Sequence, residues 1–150
     1  MRYSLAGVDL KERWNFSWDR NEEKEDELLS IVEQEAQEKY GTKDFSIVHD
    51  YYGNSNTANG ELDKIRNKIN FRPIGDFEVY DWYKVLLSAK TIACVDSCLC
   101  NFVEVVPSLK DHKKYYLGTE EEHYHAFMRN ILLNNWTTLD EQEIVSDYEI

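Results

Sequence analysis

The sequence is poor in the residues that interrupt or staple a chain. Two prolines and six glycines in 150 residues leave no Pro/Gly-rich linker, so nothing divides the chain into separately tethered parts. Three cysteines, an odd number, fit reduced thiols better than a disulfide framework. Positive charge is scarce as well: 17 Lys and Arg stand against 29 Asp and Glu, for a formal charge of −12. A nucleic-acid partner is disfavoured, because affinity for a phosphate backbone comes from clustered cations that release counterions. An anionic membrane surface is disfavoured for the same reason. No stretch approaches the roughly 18 continuous apolar residues of a spanning helix, and the opening Met1-Arg2-Tyr3-Ser4-Leu5 lacks the apolar run of a signal peptide. A cytoplasmic location without a membrane span is the expectation. No Gly-rich phosphate loop, Gly-x-Ser-x-Gly elbow or paired metal-ligand motif occurs.

What the chain does have is enough apolar material for one core. Its 150 residues are the size of one ordinary domain. Hydrophobic residues make up 42%, and 4 Trp, 10 Tyr and 6 Phe bring large buried areas. We read residues 1–139 as a single domain and 140–150 as an acidic tail.

Helical and extended periods alternate along it. After the acidic stretch Glu22 to Glu27, the residues Leu28, Ile31, Val32, Ala36 and Tyr40 recur at helical spacing, and Gly41 stands where a C-cap glycine belongs. Acids in a first turn complement the helix dipole, so this charge run reads as a solvated helix face and not as a ligand site. Phe45-Ser46-Ile47-Val48 reads as a short buried strand ending in His49-Asp50, and Tyr51 to Gly60 has loop chemistry. Lys68 to Phe71 is a weaker strand, stopped by Pro73. Asp81 is placed to cap a helix that carries Tyr83, Leu86, Leu87 and Ala89 towards the core. Thr91 to Val95 is a second buried strand, and Ser97 to Val106 a helix stopped by Pro107. Lys114 to Leu117 and Trp136 to Leu139 read as further strands. Between them Thr119 and Glu122 form a capping box for a helix to about Leu133. This alternation predicts crossover units, a mostly parallel sheet and an α/β fold.

Ligands of open parallel sheets sit beyond the carboxyl ends of the strands, and two points in the sequence are placed there. The first is Val95-Asp96-Ser97-Cys98, where a strand turns directly into a helix whose N–H groups suit a phosphate. The simpler reading is that Asp96 or Ser97 is the N-cap. The second is His49-Asp50-Tyr51: His49 is able to bind a ligand oxygen or titrate near neutrality, or else to be a partly buried histidine bonded to a carbonyl. Cys94, Cys98 and Cys100 are divided between a strand and a helix and lack a fourth ligand, so no metal site is expected. His123 and His125, two apart on an expected helix, do not share a face.

Taken in order, these segments resemble a known family. Phe45-Ser46-Ile47-Val48-His49-Asp50, Tyr80-Asp81-Trp82-Tyr83 leading to Ser88-Ala89-Lys90, Ile92-Ala93-Cys94-Val95-Asp96-Ser97 and Asn134-Asn135-Trp136-Thr137-Thr138-Leu139 carry the likeness. The chain resembles the C-terminal, nucleotide-sugar-binding half of GT-B-type glycosyltransferases, in particular heptosyltransferase-like and fucosyltransferase-like sequences. The resemblance implies one Rossmann-like lobe, with Asp96, Ser97 and Cys98 against a donor diphosphate and His49, Asp50 and Tyr51 near the nucleotide or sugar. Cys98 departs from it, standing where a second small hydroxyl residue is usual. In that family the acceptor lobe ordinarily carries the catalytic base. The expectation is therefore a donor-binding lobe that a partner chain or a homo-oligomer completes, with its catalytic residues unassigned and no cofactor. The alternative is a non-catalytic interaction or assembly module built on the same lobe, since fold does not settle function.

Overall fold

Successive side chains on a strand point to opposite faces of its sheet, and the buried strands of this chain are apolar on both. A computed structural model places them. It describes residues 16–52, 55–56, 62, 65–95, 97–117 and 135–138, with only the backbone at 51, 52, 55, 56 and 138. The strands are β1 (Ser46–His49), β2 (Tyr51–Tyr52), β3 (Ser55–Asn56), β4 (Lys68–Asn70), β5 (Ile92–Cys94), β6 (Lys114–Tyr116) and β7 (Trp136–Thr138). Five of them form one sheet in the order β4-β1-β5-β6-β7, every neighbouring pair parallel. Register keeps like faces together: Ile47 lies opposite both Ile69 and Ile92, and Cys94 opposite Tyr116. Those five residues enter one buried cluster, whereas Val48, Ala93, Val95, Tyr115 and Leu117 enter a second on the other face. A one-residue slip of any strand would exchange the two sets.

The described helices all bury against the first cluster. Helix α1 (Glu22–Tyr40) contributes Leu28, Val32 and Ala36, α2 (Tyr83–Ser88) Val85 and Leu86, and α3 (Cys98–Val105) Leu99, Cys100, Phe102 and Val103. Each large apolar side chain so buried contributes roughly 1.5–3 kcal/mol. Local chemistry sets the helix ends. The Asn21 side chain accepts from the Lys24 N–H, and Gly41, at φ 70°, returns its N–H to the Gln37 carbonyl. The second cluster draws on Leu62 and Ile65 outside the strands. The result is a single α/β lobe, Rossmann-like, with an all-parallel main sheet flanked by helices.

Several details differ from the sequence reading. Glu25, inside the acidic run, is not solvated: it is fully buried and takes two hydrogen bonds from Arg20, at 3.0 and 2.6 Å. Asp81 does not cap α2. It sits in a 3-10 turn (Val79–Trp82), where its carboxylate accepts from the Glu78 N–H at 2.8 Å. Leu87 points outward at 38% exposure, because a helix of six residues has one buried stripe and Val85, Leu86 and Ala89 fill it. Tyr40 is equally exposed and uses its hydroxyl on the Lys68 carbonyl of edge strand β4, 2.6 Å away. The stretch after His49 is more than loop, for β2 and β3 pair as a short antiparallel ribbon. The helix expected from Thr119 to Leu133, with His123 and His125, and the tail at 140–150 lie outside the described residues.

Strand order also locates the topological switch point. From β1 the chain crosses to β4 at one edge; from β5 it proceeds the other way, to β6 and β7. The connections diverge between β1 and β5, so their carboxyl ends flank the topological switch point at which doubly wound sheets open a crevice.

Candidate functional site

His49 ends β1, and its register partner Cys94 ends β5. One further bond ties the two ends together, from the Val95 N–H to the His49 carbonyl at 2.9 Å. Two residues on, Ser97 stands in extended backbone (φ −163°, ψ 172°) as the N-cap of α3. Its hydroxyl accepts from the Cys100 N–H at 3.3 Å and donates to the Val95 carbonyl at 3.0 Å. Across the gap, Nδ1 of His49 lies 3.1 Å from the same oxygen. Residues 48 apart in sequence, one ending β1 and the other capping α3, thus meet at the switch point.

The N-cap reading of Ser97 is realised, and the contact with His49 comes on top of it. A cap of this kind is worth about 1 kcal/mol. It satisfies one of the free N–H groups of the helix's first turn, and those of Cys98 and Leu99 have no acceptor within the helix. N–H groups at the positive end of a helix hold anionic groups in other proteins. Among the described residues, no Lys or Arg side chain hydrogen-bonds to His49 or Ser97. A bound anion would rest on backbone N–H groups.

Phe71 completes the corner. It follows the carboxyl end of β4, gives its N–H to the Val48 carbonyl at 2.8 Å, and sets its ring edge-on to His49, 5.1 Å between centroids. Trp82 backs it at 4.8 Å. Burial against these rings pushes the His49 pKa below its ordinary value of 6.5, and the neighbouring Asp50 charge partly opposes that. Phe71 was not singled out from sequence, although an aromatic directly after a strand and two residues before Pro73 is a usable signal.

Of the other residues singled out from sequence, Cys98 is exposed in the first turn of α3 and Asp50 is half-buried beside His49. Tyr51 begins the β2–β3 ribbon, and Asp96 lies outside the described residues. The chain matches no protein-family model, curated protein or solved structure. The thiols are spread through the lobe: Cys94 and Cys100 are buried in the main core, Cys98 is at the surface. Among the described residues no three or more His, Cys, Asp or Glu side chains gather where a metal ion could be held, and no helix is long and apolar enough to cross a membrane.

A second polar cluster occupies the opposite end of the sheet. Lys114 opens β6 and Trp136 opens β7, in register with each other. The Lys114 amine is buried and donates to the Leu109 and Lys110 carbonyls at 2.6 and 2.7 Å. The indole N–H of Trp136 donates to Glu104, itself buried, at 2.7 Å. Further away, Phe16, Trp18, Arg20, Tyr83, Val106 and Pro107 line an open, largely apolar groove of about 350 Å³.

Proposed function

We propose that this lobe binds a nucleotide-sugar in the manner of a glycosyltransferase donor lobe, with the diphosphate at the Ser97-Cys98 turn and the sugar or nucleotide towards His49, Asp50 and Tyr51. The observation that carries the reading is the meeting of His49 and Ser97 at the one point where the strand connections diverge. The free N–H groups at the start of α3 supply the anion-binding element without any cation. The resemblance to GT-B donor halves supplies the ligand class. No general base is assigned: acceptor activation belongs to a second lobe, from a partner chain or a second copy.

A thermal-shift screen against UDP, GDP, ADP and CMP and their sugars tests this directly. A ligand at a hundred times its dissociation constant adds roughly 2.7 kcal/mol of stability. Cys98→Pro is the informative variant. Proline is favoured at the first helical position and deletes only an N–H with no partner in the helix. The extended backbone of Ser97 suits a residue before proline. A bond from that N–H to a phosphate is worth roughly 1.5–3 kcal/mol, so Cys98→Pro should lower affinity about 10- to 100-fold while the fold holds. No shift with any nucleotide would sink the reading.

One observation favours the interaction-module alternative. Phe16, Trp18 and Tyr80 stack on one another and Phe102 meets all three edge-on, with centroids 5.2 to 6.4 Å apart. Tyr80 is 40% exposed at the rim of this stack, and aromatics of that kind suit a protein interface. A stable oligomer with no nucleotide affinity would select this alternative.

A further inference from the structure

We infer that His49 is a specificity-determining residue: Ser97 locks it as the Nδ1–H tautomer, and its Nε2 lone pair accepts a hydrogen bond from a hydroxyl of the ligand. The ligand part of this rests on the nucleotide-sugar reading; the tautomer does not.

The tautomer follows from counting protons on one oxygen. A serine hydroxyl has a single proton and two lone pairs. The Val95 carbonyl, 3.0 Å from Ser97 Oγ, can only accept, and so takes the proton. The Cys100 N–H, 3.3 Å away, can only donate, and so occupies one lone pair. The third neighbour, His49 Nδ1 at 3.1 Å, must then donate to the other. In a neutral imidazole a protonated Nδ1 leaves Nε2 with its lone pair.

Two consequences fix the role. First, Ser97 is no nucleophile of the serine–histidine type. That chemistry needs the hydroxyl proton to pass to the imidazole, and here the hydrogen bond runs the other way. Second, the ring is held on one side by Ser97 and on another by the edge of Phe71, itself backed by Trp82. Among the described residues Nε2 has no hydrogen-bond partner. A half-buried acceptor at a ligand crevice selects for a group that brings a proton. A fully ionised phosphate offers none; a ribose or sugar hydroxyl does.

Two measurements separate the tautomer from the ligand. Imidazole ¹⁵N shifts of the full chain without ligand, with His49→Asn as the assignment control, should show a pyrrole-type Nδ1 and a pyridine-type Nε2 for His49. Ser97→Ala should release that preference. A predominant Nε2–H form in the wild type overturns the inference whatever the protein binds. For the ligand, UDP, GDP and ADP are compared with their 2′-deoxy and 3′-deoxy forms and with one hexose-bearing derivative of each. His49→Asn keeps a donor where Nδ1 was and loses Nε2, so it should bind the hydroxyl-bearing probe about tenfold more weakly. His49→Gln, which extends an amide oxygen towards the Nε2 position, should recover part of that. The loss should vanish against the analogue lacking the hydroxyl that is read: a deoxyribose form if the ribose is read, the plain nucleotide if the sugar is. An equal loss against every probe overturns the hydroxyl role. Absence of binding by any probe to the wild type overturns the nucleotide reading, and the hydroxyl role with it, while the ¹⁵N result still decides the tautomer.

Discussion

The sheet has a polar cluster at each end of its strands, and the two are finished differently. At the amino ends, the buried Lys114 donates hydrogen bonds to two carbonyls, and the half-buried Trp136 donates its N–H to the buried Glu104. At the carboxyl ends, Ser97 has its donor and both lone pairs engaged, but among the described residues one ring nitrogen of His49 has no partner. The first cluster is a closed lock. Burial pushes the Lys114 amine pKa down, the mark of a charge held out of water at a cost. The second stands at the switch point, and among the described residues the Nε2 of His49 has no hydrogen-bond partner there. Polar groups buried in a sheet serve structure when their valences close among themselves, and become candidates for function when one stays open towards the switch point.

The largest expected effect tests the lock. Lys114→Met strands two carbonyls and removes a cation that interacts electrostatically with the buried Glu104 carboxylate, so it should cost about 3–5 kcal/mol, read as a lower urea midpoint. Any nucleotide response of the surviving folded protein should be unchanged, since the clusters lie at opposite ends of the strands. Trp136→Phe keeps the ring and removes only the donor to Glu104. A loss of about 1–3 kcal/mol is expected, again without effect on ligand. Ser97→Ala belongs to the other cluster and should reverse the pattern. Stability falls by only about 1 kcal/mol for the lost cap, yet the ligand response falls as well because His49 is no longer oriented. If Ser97→Ala destabilised as much as Lys114→Met and left binding intact, the distinction between lock and site would collapse.

Much of this was legible in the sequence. Every strand of the main sheet falls within a segment expected from apolar runs: 46–49, 68–70, 92–94, 114–116 and 136–138. Gly41 and Pro107 mark the ends of α1 and α3 as their chemistry requires. His49 and Ser97 were both visible as candidates, each just beyond or at the carboxyl end of an expected strand. Their contact was not, because pairing of β1 with β5 depends on strand order, which no local pattern encodes. Glu25 escaped for a different reason. A carboxylate reads as surface unless its partner is known, and Arg20 lies five residues away, outside the usual helical spacing for such pairs. Leu87 was misplaced because Val85, Leu86 and Ala89 fill the buried stripe beside this short helix, and composition does not say which side chains will fill it.

The smallest effect expected is also the most specific to the open cluster. His49 has a folded-state pKa below the ordinary 6.5 because burial beside Phe71 disfavours the imidazolium. As pH falls through that ordinary value, the unfolded chain takes up the proton before the folded one does. The unfolded state then binds more protons, so stability falls with falling pH. The decline starts just above the unfolded pKa and levels off once the folded imidazole has titrated too. Acidic residues add their own slopes lower on the scale, so the quantity to measure is the difference between wild type and His49→Asn. Urea midpoints taken from about pH 7.5 to about pH 5 should converge as pH drops, because the variant has no imidazole to desolvate. A constant gap across that range would mean that burial does not disfavour the His49 charge. The corner would then be wetter than its contacts with Phe71 imply, and the contrast with the closed Lys114 cluster would rest on geometry alone.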